Sequence, residues 1–385
     1  MVIKLMSIAG ARPNFMKLAS IAEAIDAYNK RAGELKIQHV IVHTGQHYDA
    51  KMSSSFFDDL GIPKPNINLE VGSGSHAAQT AEIIKRFEPV LLQEQPDVLL
   101  VVGDVNSTIA CTLVAAKVDY PAEHCLRRPL VVHVEAGLRS FDRNMPEEVN
   151  RVLTDALSDL LFVTEQSGLD NLRNEGHHDE KICLVGNVMI DTLQRHISKA
   201  QHSTVRRELA GEGAYGLVTL HRPSNVDSCA ALEPLVRCLV DISARLRLIF
   251  PVHPRTQNKL QQFGLWDLLA RAENITLTSP LGYLDFLNLV AGATVVVTDS
   301  GGIQEETTYL NIPCLTLREN TERPVTVTEG SNYLIGTEAR KILATMDRIL
   351  AGQGKVAKVP ELWDGHAGER IVDRIVETVR GSLGS

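Results

Sequence analysis

Several features that would fix a function at once are missing from this 385-residue chain. Its six cysteines (111, 125, 183, 229, 238 and 314) include no C-x-x-C and no zinc-like spacing. They therefore read as reduced core residues of a cytoplasmic protein. There is no basic block, and 39 Lys and Arg against 47 Asp and Glu leave a net charge of −8, which argues against nucleic acid as a partner. The longest apolar runs, such as Val98 to Val102, are strand-sized and far short of the roughly 20 residues that cross a bilayer, so no membrane partner is expected. The start, Met1-Val-Ile-Lys4, enters a strand pattern directly, without the charged, apolar and cleavage regions of an export signal. Internal repeats and low-complexity tracts are also lacking.

What the chain does have is length and 44% hydrophobic content, enough for two cores. Strand-like runs alternate with longer amphipathic ones: Ile3 to Ile8, a helix to about Lys30, His39 to Val42, Asp97 to Val102, Leu130 to Val134, Leu160 to Val163 and Ile182 to Val185. A second series follows at Gly216 to Leu220, Leu248 to Val252, Ile275 to Thr278, Thr294 to Thr298, Cys314 to Leu317 and Tyr333 to Ile335. This rhythm predicts an α/β fold of two Rossmann-like, doubly wound domains. The expected division is 1–178 plus a C-terminal helix at about 367–385, and 179–366. Between the two series, roughly Asn187 to Glu212, the chain reads as helical, then polar and glycine-bearing, which suits a connector.

In such sheets ligands sit beyond the carboxyl ends of the strands, so the residues just after each strand carry the functional question. Thr298 to Glu306, TDSGGIQEE, is a strand, a tight turn and a helix start, and its unpaired N–H groups suit a phosphate or diphosphate. Ser300, Gly301 and Gly302 would form that seat, with Glu306 one turn on, able to accept bonds from sugar hydroxyls. After the first strand, Arg12 and Lys17 offer a phosphate clamp. His43 and His47 stand four apart at a strand-to-loop crossing, a poor geometry for a metal pair, and no metal site is expected. Asp104 and Glu135 put carboxylates at the tips of buried strands, and Glu147 shares a helix face with Asn150 and Arg151. Acids gathered at one sheet edge suit general acid/base work. The second half offers His221 and His253 after successive strands, and a histidine beside a diphosphate can relay a proton to a leaving group. Acids on one domain and a diphosphate seat on the other predict a cleft reaction on a nucleotide-linked substrate.

The motifs GARPNFMK, TGQH, VVGDVNST, HVEAGLRS, MPEEVNR, GNVMIDTL, TLHRPSN, PVHPR, TDSGGIQEE and LRENTERP run in this order across nearly the whole chain. Together they resemble the non-hydrolysing UDP-N-acetylglucosamine 2-epimerases. The resemblance implies the GT-B-like arrangement, with two Rossmann-like domains facing a central cleft. It also implies interconversion of UDP-N-acetylglucosamine and UDP-N-acetylmannosamine through a 2-acetamidoglucal and bound UDP, without nicotinamide or any other cofactor. By motif match, Asp104, Glu135 and Glu147 become the acid/base carboxylates, and His221 the group assisting UDP departure. Arg12, Lys17 and Arg151 would hold phosphate or orient the acids, and Ser300, Gly301 and Gly302 would take the diphosphate. Glu306 would take the ribose, Phe286 would lie against uracil, and Arg323 would close on the phosphates.

The chain departs from the family pattern where many members read GTRPE, GDT and HRRE. Here Asn14, Val105 and Pro223-Ser224 replace neighbours of the expected catalytic groups, which leaves the chemistry and loosens the sugar assignment. Some members are activated by their substrate near the TGQH turn and the His of PVHP; Gln46 and His253 are present, but Tyr48-Asp-Ala replaces the usual Arg-Glu. Other readings stay open: a hydrolysing relative releasing N-acetylmannosamine, an epimerase of a UDP-2,3-diacetamido uronic acid sugar, a GT-B glycosyltransferase, or a non-catalytic UDP-sugar binder. A homodimer is the expected assembly.

Overall fold

The run Val98–Val102 is Val-Leu-Leu-Val-Val, and every one of its side chains is buried. A strand apolar on both sides must be covered on both sides, the setting of a parallel sheet with helical crossovers. The computed structural model describes residues 2–31, 33, 35–46 and 61–383 and shows that outcome twice. The chain divides into two compact units, one of Met1–Thr192 with Glu361–Ser385 and one of Leu193–Pro360.

The first unit holds β1 (Val2–Ala9), β2 (Lys36–His43), β3 (Ile67–Asn68), β4 (Val98–Val102), β5 (Leu130–Ala136), β6 (Leu160–Val163) and β7 (Ile182–Leu184). They pair in the order β3-β2-β1-β4-β5-β6-β7, all parallel. The second holds β8 (Tyr215–Thr219), β9 (Arg247–Pro251), β10 (Ile275–Thr278), β11 (Val295–Thr298), β12 (Cys314–Thr316) and β13 (Asn332–Leu334), in the order β10-β9-β8-β11-β12-β13. Both sheets reverse their winding beside their first strand, between β1 and β4 and between β8 and β11. The carboxyl ends of those strands are where a doubly wound sheet leaves a crevice.

Strand periodicity builds two cores per sheet. In the second unit Val218, Phe250 and Val297 pack with Leu235, Leu239 and Met346 of the covering helices, while their neighbours Leu217, Ile249 and Val296 pack with Leu289 and Val290 on the other side. In the first unit Met6, Ile8, Leu99 and Val101 meet Ile83, Phe87 and Leu91 of the helix His76–Glu94. The C-terminal helix Ala367–Leu383 packs on the helix Arg12–Arg31 and buries Ile371, Ile375 and Val379, which recur every four residues along one face. Each such side chain contributes about 1.5–3 kcal/mol over its exposed state.

The unit boundary falls later than 178/179, because β7 pairs with β6 and so keeps residues 179–192 with the first unit. The return begins at Glu361, where Trp363 is buried and donates Nε1–H to Thr164 O. The connector is a helix, Val188–Ala200, as expected, then a second short one, Val205–Ala210, within the part expected to be polar and glycine-bearing. The cysteines need a correction too. Cys111, Cys238 and Cys314 are buried, but Cys183 and Cys229 are half-buried and Cys125 is exposed, because it lies in the loop before β5 rather than in an apolar element.

Candidate active site

At the switch point of the first unit, the turn after β1 is tied to the end of β4 by one amide. Asn14 accepts from the N–H groups of Gly10 (3.1 Å) and Ala11 (2.9 Å) and donates to Val102 O (3.1 Å). Arg12 opens the following helix half-buried, while Lys17, one and a half turns on, is only 8% exposed. An ammonium that deeply placed needs a counter-charge, and Glu135 at the end of β5 supplies it through a direct ion pair. Glu135 itself has φ of 72°, a region costly for any residue with a Cβ, and it sits where the β5–β6 register shifts between Val134 and Ala136. The irregularity takes Glu135 out of the regular alternation, and the Lys17 pair is a contact that holds it there. Gly103 (φ 67°) completes the fit, since a Cβ at that position would stand 3.0 Å from Lys17 Nζ.

Asp104 follows directly. Arg151, buried on the helix Pro146–Leu157, donates to Asp104 Oδ2 (2.5 Å) and to Glu148 Oε2 (2.8 Å), and Asn150 donates to Asp104 O (2.9 Å). Glu148 also accepts from Ser140 N and Phe141 N, both at 2.9 Å. Asn150 and Arg151 thus turn to Asp104 together. Glu148 is the acid that pairs with Arg151, and Glu147 stands half-buried with no partner among the described residues.

Beneath the acids, His133 Nδ1 lies 2.6 Å from Asp155 Oδ1 and its Nε2 lies 2.8 Å from Gly103 O, while Arg139 donates to Asp155 Oδ2 (2.6 Å). Burial pushes the Asp155 carboxyl up, but His133 and Arg139 outweigh it and hold it below the usual carboxylate range. This buried network anchors the carbonyl just before Asp104. Sequence reasoning left Glu148, His133 and Asp155 unassigned. The available signal was a histidine inside an otherwise apolar strand, which has to find partners.

In the second unit the organising residue is Asp299, fully buried between β11 and the helix Gly301–Tyr309. It accepts from His221 N (3.1 Å), Arg222 N (2.9 Å) and Asn225 Nδ2 (3.2 Å), and His221 Nδ1 lies 3.0 Å from it. Burial raises this carboxyl, but His221 and the two backbone N–H groups prevail and hold it low. A carboxylate only accepts, so Nδ1 of His221 carries its proton toward Asp299 and Nε2 is the remaining reactive atom. The His221 side chain is 42% exposed. Asp299 was quoted in the TDSGG motif without a role; an acid between a strand and a glycine turn was the signal for it.

The two glycines after Ser300 are there for different reasons. A Cβ on Gly301 would meet Arg323 Nη1 and Glu322 Oε1 at 2.8 Å each, whereas one on Gly302 would meet nothing within 4 Å. Gly301 therefore makes room for a buried ion pair, and Gly302 leaves bare backbone facing open space. The Ser300 side chain makes no capping bond, so the first-turn N–H groups of this helix keep no side-chain acceptor among the described residues, while the Ser300 N–H itself goes to Thr298 Oγ1 (3.0 Å). Arg323 is buried and pairs with Glu322 (2.6 Å) and Glu305 (2.7 Å). Burial, and then Glu305, push the buried Glu306 carboxyl up to about 7, with Tyr283 partly opposing.

The other candidates are placed as follows. Phe286 is half-buried against the core on the Leu217 side of the sheet. His253 is exposed and caps the helix Pro254–Gln262 by accepting from Arg255 N (3.2 Å); its ring centroid lies 5.7 Å from that of His221. Burial, helped by His221 and Arg255, lowers its pKa. Gln46 spends its side-chain oxygen on Ser107 N (3.0 Å) and Ser107 Oγ (2.7 Å). His47, and with it any pairing to His43, lies outside the described residues.

A family profile described as UDP-N-acetylglucosamine 2-epimerase matches residues 29–376. The chain is 42% identical over 376 residues to a UDP-N-acetylglucosamine 2-epimerase of Methanocaldococcus jannaschii, covering 96% of this chain and 98% of the relative. It is 37% identical to a UDP-2,3-diacetamido-2,3-dideoxy-D-glucuronate 2-epimerase of Pseudomonas aeruginosa, covering 97% and 100%. A solved UDP-GlcNAc 2-epimerase of M. jannaschii, in complex with UDP-GlcNAc and UDP, superposes with a TM-score of 0.85 at 40% identity over 97% of this chain and 100% of that one.

Proposed function

The chain belongs to the UDP-N-acetylglucosamine 2-epimerase family, with a GT-B-like fold, and from that premise we propose that it interconverts UDP-N-acetylglucosamine and UDP-N-acetylmannosamine without hydrolysing them. One observation carries the reading: Glu135 on Lys17 stands beside Asp104 on Arg151 at the switch point of the first sheet. A carboxylate takes the C2 proton, the C1–oxygen bond breaks with its electron pair leaving on UDP, and a C1–C2 double bond forms. Re-addition of UDP at C1, with a proton delivered to the opposite face of C2, inverts that centre. Two faces require two proton-handling groups, and Asp104, Glu135 and Glu147 are the three on offer. His221, aimed by Asp299, protonates or steadies the departing diphosphate through Nε2.

UDP itself is assigned to the second unit. The diphosphate takes the N–H groups at Gly301 and Gly302 and the Ser300 hydroxyl, the Ser300 N–H being given already to Thr298 Oγ1 (3.0 Å), and Arg12, Lys17 and Arg323 are the cationic side chains proposed to balance the charge the helix end leaves. Glu306 accepts from the ribose hydroxyls, and Phe286 and His253 line the nucleotide. Arginine, lysine and a helix terminus can carry a diphosphate, so the route calls for neither metal nor nicotinamide. We assign the resting assembly as a homodimer, which light scattering tests.

The deciding experiment is proton NMR of UDP-N-acetylglucosamine incubated with the protein alone in deuterated water. Product carrying deuterium at C2, with UDP still attached, supports the proposal; an inverted product that keeps its C2 hydrogen removes the elimination route. Free N-acetylmannosamine in the same tube would assign a hydrolysing enzyme, and no reaction without an acceptor would point to a transferase or a binder. The P. aeruginosa relative favours one second reading, a UDP-2,3-diacetamido uronic acid sugar as substrate. Comparing turnover on both UDP-sugars separates the two.

A further inference from the structure

On the opposite, amino-terminal edge of the first sheet, a loop brings three donors of metal-ligand type together. Asp97 immediately precedes β4, and its Oδ2 is committed to Lys4 N (2.7 Å), leaving Oδ1 turned outward. The loop leading to β5 is closed on itself by Tyr120 N to Arg127 O (2.7 Å) and Arg127 Nε to Asp119 Oδ1 (2.6 Å). It is fastened to the sheet by Tyr120 OH to Pro96 O (3.0 Å). Within it, His124 stacks edge-on against Tyr120, with ring centroids 4.7 Å apart, and Cys125 follows. One ligand atom each from Asp97, His124 and Cys125 lies within 4.8 Å of the others.

The distances suit coordination better than hydrogen bonding. His124 Nε2 is 4.0 Å from Asp97 Oδ1, too far for a hydrogen bond. Its Nδ1 can accept from Leu126 N–H (3.1 Å) or donate to Leu126 O (3.0 Å), and an ion on Nε2 selects the tautomer that donates to the carbonyl and gives up the bond from Leu126 N–H. A backbone carbonyl on the far ring nitrogen is the usual way a protein orients a ligating histidine. Tetrahedral ligands bound at about 2.0–2.3 Å stand about 3.3–3.8 Å apart, so closure from separations of up to 4.8 Å asks for up to about 1.5 Å of movement, which the exposed Cys125 can supply.

We propose that Asp97, His124 and Cys125 form a structural site for a borderline-soft divalent ion of the zinc class, with one position left for water. Sulfur and imidazole beside a single carboxylate exclude magnesium and calcium as preferred occupants. On binding, the Cys125 Sγ–H bond breaks, its proton passes to solvent and Sγ bonds the metal. Standing at the edge away from Asp104 and Glu135, the ion pins the loop and takes no part in turnover.

The test is a cobalt(II) titration of the full-length, chelator-stripped protein, followed by absorbance. Expected are one cobalt per chain, a thiolate-to-cobalt charge-transfer band, release of a proton, and displacement by zinc. Cys125→Ser should abolish the band, and His124→Gln should weaken binding roughly tenfold or more. Cys183→Ser and Cys229→Ser, at the half-buried cysteines, should keep it. Asp97 is left in place because it also holds Lys4 N. Absence of the band in the parent protein, or a band that survives Cys125→Ser, overturns the site, and neither outcome touches the epimerase reading, since no substrate is present.

Discussion

The two units share a strand order around their first strand and differ in what stands at its reversal. The first surrounds the switch point with buried ion pairs, Lys17 with Glu135 and Arg151 with Asp104 and Glu148, and holds Glu135 in a left-handed backbone conformation. The second leaves the first-turn N–H groups of one helix without side-chain acceptors among the described residues and buries an acid, Asp299, behind His221. One unit therefore fixes carboxylates in place, and the other offers bare donors with an aimed imidazole. Topology decides where a site can lie, and the side chains placed there decide whether it does chemistry or holds a ligand.

The largest effect that would test this division is at Glu135. Glu135→Gln should lower turnover by on the order of 10² to 10⁴ while leaving UDP affinity nearly unchanged, because the acid acts on the sugar and the nucleotide is held elsewhere. Steady-state NMR rates beside calorimetric UDP binding read both, and equal losses in the two would erase the division. Next in size is Asp299→Asn, which keeps the shape but removes the charge facing His221 Nδ1. A hydrogen bond to a charged group contributes about 1.5–3 kcal/mol, so turnover should fall about 10- to 100-fold. An unchanged rate would show that His221 needs no orienting partner.

Nearly all of the strand framework was legible in the sequence, because runs apolar on both faces have few alternatives to a covered parallel sheet. The exception was β3, only two residues long, Ile67–Asn68, and too short to show a period. The strand-end residues were legible for the same reason: Asp104, Glu135, His221 and Ser300 interrupt or end apolar runs. The residues behind them were not. Glu148 sits beside Glu147, and only the helix rotation decides which of the two meets Arg151. Asp155 and His133 are 22 positions apart and meet only once helix and strand are packed. Asn14 reads as a lost charge in a motif, yet in the fold it joins the first turn to β4. Such partners depend on tertiary approach, which periodicity does not encode.

A smaller effect sharpens the second unit's side of the comparison. The Glu306 carboxyl is raised from its ordinary 4.5 to about 7, chiefly by burial. Between those values the folded chain holds a proton the unfolded chain gives up, so stability falls as pH rises from about 4.5 through about 7 and levels off above it. Glu306→Gln should remove that slope. It should exceed the parent in stability at pH 8 by on the order of 2–3 kcal/mol and match it near pH 5, as measured by denaturant unfolding. If the carboxylate accepts from ribose, parental UDP binding should tighten as pH rises through about 7, and Glu306→Ala should lose roughly tenfold in affinity at pH 8. A parental UDP affinity flat across that range would sink the ribose assignment.

The smallest expected effect lies outside both switch points, where the returning C-terminal helix meets the first unit. Asp191 accepts from Ala367 N (3.2 Å) and Gly368 N (2.7 Å), at a helix end where negative charge is favoured. Burial nevertheless dominates and raises its carboxyl to about 6, from 3.8, so the charged cap costs more in desolvation than the two N–H groups return. Asp191→Ala loses the cap and should cost about 1 kcal/mol. Asp191→Asn keeps an acceptor oxygen without the buried charge and should cost less. Because the folded value lies above the unfolded one, parental stability falls as pH rises from about 3.8 through about 6, so the deficit of the alanine variant should be widest at or below about pH 3.8 and narrow above pH 6.5. Turnover should be unchanged in both variants. Urea unfolding at the two pH values checks the sign, and a deficit that instead widens with pH would mean that the helix end, rather than burial, governs this carboxylate.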